Sequence, residues 1–260
     1  MKLQTTVPTI VLGLPIPGSI NPYIAVPTAP LEVDVSLEKC RAPHVKLGSL
    51  RGLEGLISRF WETLMRGLGM EFCGSLNVIR PESLEALPLG GLYASITSSL
   101  VYALSKAHGE HPRPGDVVEL SKPADPFDVD ESWALALEAL RYSSTAGKPV
   151  AYRGVLEVYE FRDFTLKAEA RGRAEGVKPR VSPESIGHSL YGALIHLAGS
   201  MVLEASIMLR EGARPLEVLE AYKPLHEGLA LAVWGLTPGS GRCMWIPSIP
   251  GSFELVCVVA

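Results

Sequence analysis

Bare backbone and hydroxyls gather in one short stretch, Pro88-Leu89-Gly90-Gly91-Leu92-Tyr93-Ala94-Ser95-Ile96-Thr97-Ser98-Ser99. A proline and two glycines lead into an apolar, helix-compatible run, Leu100-Val101-Tyr102-Ala103-Leu104. Glycine admits backbone approaches that a Cβ would block. A helix beginning here presents free N–H groups and the positive end of its dipole. With Ser95, Thr97, Ser98 and Ser99 near that end, the stretch has the composition of a phosphate cradle. The same residues also suit a helix packed tightly on a sheet, and the stretch alone leaves both readings open.

Other polar residues could do chemistry. Asp125, Asp128, Asp130 and Glu131 form an acidic cluster. It could cap a helix and line a solvated face, or hold a divalent cation or act as a base. Lys148 lies in a loop where it could touch a phosphate. Asparagine occurs only at positions 21 and 77 and glutamine only at position 4. Such sparing use of thermolabile amides marks proteins from hot environments, and it singles out Asn21, with Ser19 and Tyr23 beside it, as a candidate binding loop. Ser240, between Gly239 and Gly241, sits in a second close-approach turn. His188 and His196 are eight residues apart on an expected helix, about 12 Å, too far to share a metal. They read as core or interface residues.

Composition narrows the classes. The chain has 260 residues, 47% apolar, with a net charge of −4. That argues against a general nucleic-acid binder. No uncharged apolar run reaches 18 residues, so no membrane span is expected. Met1 to Thr6 lacks the apolar core of a signal peptide, and a cytoplasmic protein is the default. Cys40, Cys73, Cys243 and Cys257 form no CxxC pair. They are expected to be small buried hydrophobes rather than disulfides.

Residues 7–37 read as β structure: Val7–Leu12, Ser19–Val26 and, after Pro27 and Pro30, the period-two run Leu31–Leu37. Residues 50–68 take a helical period, with Leu53, Leu56, Ile57, Phe60, Leu64 and Leu68 on one face and Gly69 as the stop. Glu71–Arg80 reads as a strand, and Pro81–Leu87 bridges to the glycine stretch. A helix from Gly91 to Ala107 follows, then one from Glu131 to Tyr142 capped by Asp128 or Asp130. Ser143–Pro149 reads as a loop, with strands at Val150–Val158 and Phe161–Ala170. Arg171–Lys178 is the expected boundary. Ser182-Pro183 starts a helix running to Leu209 or Arg210, whose apolar run Leu194–Leu209 is expected in the core. Ala213–Trp234 gives another, with Leu216, Leu219, Leu225, Leu229 and Val233 inward. Strands at Arg242–Ile246 and Phe253–Val259 finish the chain.

This order resembles the GHMP kinase superfamily (galactokinase, homoserine kinase, mevalonate kinase and relatives). Pro17-Gly18-Ser19-Ile20-Asn21-Pro22-Tyr23 is similar to the family's Pro-x-x-x-Asn-Leu loop. Pro88 to Ile96 is similar to the ATP phosphate loop Pro-x-x-x-Gly-Leu-Gly-Ser-Ser-Ala. Pro238-Gly239-Ser240-Gly241-Arg242-Cys243 is similar to the late Gly-Ala-Gly-x-Gly-Gly loop. The resemblance implies an α+β, two-lobed fold: a β-rich α/β lobe over 1–170 and a helical, ferredoxin-like lobe over 171–260. It implies ATP held by Pro88, Gly90, Gly91, Leu92, Tyr93, Ala94, Ser95 and Thr97, with Ser95 as ligand to Mg2+. It implies a small-molecule substrate near Ser19, Asn21, Tyr23, Gly239, Ser240 and Gly241, and allows a homodimer. Asp128, Asp130 and Lys148 are the candidates for catalysis.

The departures are specific. Tyr93 replaces a glycine and Ala94 the first serine. The segment matching the family's catalytic aspartate, Ser143–Lys148, has no acid; homoserine kinases also manage without it. The implied activity is transfer of the γ-phosphate of ATP to a hydroxyl of a small hydroxy acid, amino acid or isoprenoid precursor. The alternative is a relative that keeps the fold and binds a metabolite or protein partner without phosphoryl transfer.

Overall fold

The apolar runs at the start of the chain pair into a long antiparallel ribbon, β1 (Lys2–Leu12) against β2 (Tyr23–Lys39). The structure, a computed structural model, describes residues 1–79 and 84–259. The prolines expected to break the strand do not, since β2 runs through Pro27 and Pro30. Its far edge pairs with β4 (Phe72–Ile79) over Glu32–Lys39 and with β5 (Val150–Tyr152) over Tyr23–Ala25. The prolines fall between those ladders, where a missing N–H costs no second pairing. β3 (Val45–Leu47) joins β4 in parallel and β6 (Val158–Glu160) joins β5, so Val150–Val158 is part of a hairpin rather than one strand. Of the expected strand end and bridge, Arg80 and Pro81–Ser83 lie outside the described residues.

Four helices build the first core with this sheet: α1 (Glu54–Leu68), α2 (Leu89–Ala107), α3 (Pro114–Ser121) and α4 (Glu131–Ala146). In α1 the inward face is Ile57, Phe60, Trp61 and Leu64, while Leu68 at its end is exposed. α3 is absent from the sequence reading. Its signal was local: Pro114 at the first helical position, and an Asp116 carboxylate accepting the Arg113 N–H at 2.9 Å. α4 runs on through Ser143–Ala146, expected as loop, because both serines are buried and Gly147 supplies the left-handed stop.

The second core lies under a three-stranded sheet, β7 (Lys167–Glu175), β9 (Ser252–Val259) and β8 (Cys243–Pro247), in that order. Arg171–Glu175, expected at a boundary, is part of β7. α5 (Pro183–Ile186), α6 (His188–Arg210) and α7 (Pro215–Trp234) complete this half. Trp133 of α4, Trp234 of α7 and Phe253 of β9 stack edge to face and tilted at 5.0–5.7 Å, joining the halves.

Three further expectations need correction. The cysteines form two disulfides, Cys40–Cys73 and Cys243–Cys257. The second pair is directly opposite across β8 and β9, and the first follows from β2–β4 register; register is invisible in residue spacing. His188 and His196 are exposed rather than core. α6 buries Ala198, Met201, Val202 and Ala205 but turns Leu197, Leu203, Ile207 and Met208 outward. By length and composition alone α6 is apolar enough to cross a membrane, a property it shares with core helices; here it packs on α7 and β2.

His226 on α7 is fully buried, and neither ring nitrogen has a hydrogen-bond partner among the described residues. Burial, with Lys223 nearby, pushes its pKa down to about 4. The unfolded chain takes up that proton below about pH 6.5 while the folded chain resists it. Stability is therefore full above that pH and falls by up to about 3 kcal/mol as the pH drops towards 4. Urea midpoints from pH 7 to 4 should show this decline, and His226→Leu should flatten it; an unchanged slope would assign the effect to another group.

Candidate functional site at the start of α2

α2 begins at Leu89, directly after Pro88, whose side chain gives no capping bond. Gly90–Ser95 are thus helical and buried, not an open loop. The end of the helix is closed from far along the chain. The Leu89 N–H donates to Glu254 Oε2 at 2.8 Å, and the Gly90 N–H to Ser248 Oγ at 3.0 Å. Ser248 Oγ donates to the same Glu254 oxygen at 2.6 Å. Glu254 sits on β9 and Ser248 just past β8, and both are buried. Burial pushes the Glu254 carboxyl above its ordinary range, opposed by the Ser248 and Leu89 hydrogen bonds and by the charges of Arg51 and Arg173. A carboxyl group from the chain itself stands where a helix end attracts anions.

The glycines have a packing reason. A Cβ on Gly91 would overlap the Pro8 carbonyl of β1, and one on Gly90 would come within 2.8–3.0 Å of the Ser248 backbone. Ser95 is fully buried, its Oγ 2.7 Å from the carbonyl oxygens of both Thr6 and Gly91. Ser144 Oγ adds a contact at 3.1 Å. It faces the core, not a metal site. Leu92 and Ala94 are core residues.

Tyr93 is a core residue. Its ring meets Phe60 and Phe127 in the core, and its hydroxyl donates to Asp125 Oδ1 at 3.2 Å. Burial first, then the Asp125 charge, raises its pKa well above the ordinary tyrosine range. Asp125 accepts two bonds of 2.5 Å from Arg141, which is fully buried and also donates to Thr97 Oγ1 at 3.2 Å. Burial works against the Arg141 charge, but Asp125, with Tyr93 and Glu138, keeps its pKa raised. Tyr93, Thr97 and Asp125, expected in a cofactor site and an acidic cluster, are parts of one buried ion-pair network.

The other candidates have separate places. Asp130 caps α4 through the Ser132 N–H at 2.8 Å and accepts the Gly18 N–H at 3.0 Å, while Asp128 and Glu131 are exposed. Lys148 pairs with Glu160 at 3.1 Å on the surface. Tyr23 is buried and donates to the Ser132 carbonyl at 2.7 Å. Asn21 donates to the Ile195 carbonyl of α6 at 3.0 Å, and Ser19 is buried with no partner for its hydroxyl among the described residues. The Gly239 N–H donates to Glu227 Oε1 at 2.7 Å, and Lys223 bonds both Glu227 and the Gly239 carbonyl. Gly239 is bare because a Cβ would meet the Cys243 backbone. Ser240 is exposed at this turn.

Sequence reasoning missed Ser248, Glu254, Arg141 and Glu227. Ser248 and Glu254 carry one signal, a polar residue in an otherwise apolar run, as in Phe253-Glu254-Leu255-Val256; Arg141 and Glu227, in mixed stretches, carry none. An open groove of about 470 Å3 lies elsewhere, between the β5–β6 hairpin and α6. Leu156, Tyr159, Leu203, Ile207 and Arg210 line it, and Pro22 is its only residue from the three motif loops. Leu156 is 98% exposed at its rim.

The residues at the start of α2 do not fit a nucleotide phosphate or Mg2+: the first amides are bonded to Glu254 and Ser248, and Ser95 is enclosed. No protein-family model and no curated protein sequence matches the chain. Solved structures do. L. major mevalonate kinase, in complex with R-mevalonate, aligns over 100% of this chain and 87% of its own at 12% identity, TM-score 0.58. Mevalonate diphosphate decarboxylase from Staphylococcus aureus covers 99% and 87% at 12% identity, TM-score 0.56. Streptococcus pneumoniae phosphomevalonate kinase covers 99% and 91% at 11% identity, TM-score 0.54. Identities this low speak for the fold, and over nearly its whole length this chain has the fold of the GHMP kinases.

Proposed function

We propose that this chain keeps the GHMP-kinase fold without phosphoryl transfer, and binds a small amphipathic metabolite in the groove beside α6. The observation that carries this reading is the bonding of the Leu89 and Gly90 amides to Glu254 and Ser248. Phosphoryl transfer depends on positioning and on stabilising charge at the phosphates. Here the helix end that would do so already holds a carboxyl group. The kinase reading, with ATP and Mg2+, requires Glu254 to leave a buried site and the β8–β9 turn to move with it.

The groove supports the binding half. Its volume and apolar lining suit a small ligand, and its polar groups are few. Arg153 pairs with Glu157 at its edge at 3.3 Å, leaving Arg210 to give the lining a net positive charge. An apolar body with an anionic head complements those walls.

Three measurements test the proposal. Isothermal titration with ATP and Mg2+ should give no heat, and millimolar ATP no thermal shift; binding by the unaltered protein would sink it. Glu254→Ala should lower stability by about 1–3 kcal/mol by leaving buried donors unpaired, and inorganic phosphate should restore part of the loss in this variant alone. For the groove, octanoate should raise the melting temperature more than octylamine does, and Arg210→Ala should erase the difference. Equal effects of the two probes on the unaltered protein would remove the groove from the proposal.

A further inference from the structure

The two disulfides differ in their surroundings. Beside Cys40–Cys73 stands His44, with Nδ1 3.0 Å from Cys73 Sγ. The sulfurs of Cys40 and Cys73 and a ring nitrogen of His44 all lie within 4.8 Å of one another. Among the described residues no other group of three or more histidine, cysteine and carboxylate side chains is gathered this closely. Nδ1 is also 3.1 Å from the Ala42 carbonyl, which it can bond only as an N–H donor; to ligate a metal the ring moves its proton to Nε2 and gives up that bond.

Backbone bonds hold all three residues independently of the sulfur–sulfur bond. The Cys40 N–H donates to the Glu71 carbonyl at 3.0 Å, and Cys73 is in register with Glu38 of β2. The Gly74 N–H donates to the His44 carbonyl at 2.8 Å, at the start of the β3–β4 ladder. Cys73 is buried, Cys40 half-buried and His44 exposed, so the cluster opens to solvent on the histidine side.

We propose that, once reduced, Cys40, Cys73 and His44 form a Zn2+ site of two thiolates and one imidazole, with water in the fourth position. Reduction by a thiol or phosphine adds two electrons and two protons to the disulfide and yields two thiols. Binding of Zn2+ then releases both protons as the thiolates coordinate. Zn–S bonds of about 2.3 Å at a tetrahedral angle need the sulfurs about 3.8 Å apart. Rotation about the cysteine χ1 bonds supplies that separation while the strands stay paired. Two soft sulfurs and an imidazole select zinc over magnesium or calcium. The oxidised pair binds no metal, so occupancy follows the redox state. This reading is independent of the nucleotide question.

The test is a Zn2+ titration of the whole chain against a chromophoric chelator, after reduction with a phosphine and removal of oxygen. The expected result is one Zn2+ per reduced chain and none per oxidised chain. The Cys243→Ser/Cys257→Ser variant should keep that stoichiometry, and His44→Ala, at an exposed position, should weaken binding at least tenfold. Co2+ added to the reduced, unmutated protein should give thiolate-to-cobalt charge-transfer absorption. A reduced chain that binds no zinc, unchanged affinity in His44→Ala, or no charge-transfer band with Co2+ would each overturn the proposal.

Discussion

A helix that starts inside a protein must find partners for its first N–H groups. α2 starts pressed against β1, and Pro88 at its N-cap supplies no side-chain bond. Ser248 and Glu254 meet that need, and much of the architecture follows from it. The β8–β9 hairpin is held against the helix end, and Gly90 and Gly91 must stay bare for the surfaces to meet. A substitution at Gly91 therefore reports first on packing, whatever the helix end binds.

The buried charges form a second constraint. Arg141 is enclosed with Asp125, Tyr93 and Thr97, under the Phe60 and Tyr93 rings. Such pairs contribute little net stability compared with apolar packing, but removing one partner leaves a buried charge at a cost of about 3–5 kcal/mol. The network ties α2 to α4 and to the segment before α4. It occupies the side of α2 where Tyr93 departs from the family's phosphate loop, so the departure is structural: the tyrosine anchors an ion pair.

Local signals were legible. Ser182-Pro183, Asp130 and Gly69 set helix ends as their types predict. The order of elements and the three loose motifs pointed to the GHMP fold, and the fold is there. What could not be read was pairing at a distance. Glu254 is 165 residues from Leu89, and nothing near either names the other. The disulfides depend on strand register. The outward half of α6 looks like core because composition does not say which apolar side meets solvent, and Pro27 and Pro30 look like breaks because an unpaired edge is not visible in sequence.

The cap on α2 comes from a strand made long after the helix itself. A ribosome releases Leu89 well before Glu254, so the nascent chain carries a helix whose first amides have only water as partners. The first core can collapse around α1 and α2 during synthesis, but its closure waits for β9. Closure of this half therefore waits on β9, a strand that completes a helix begun 165 residues earlier.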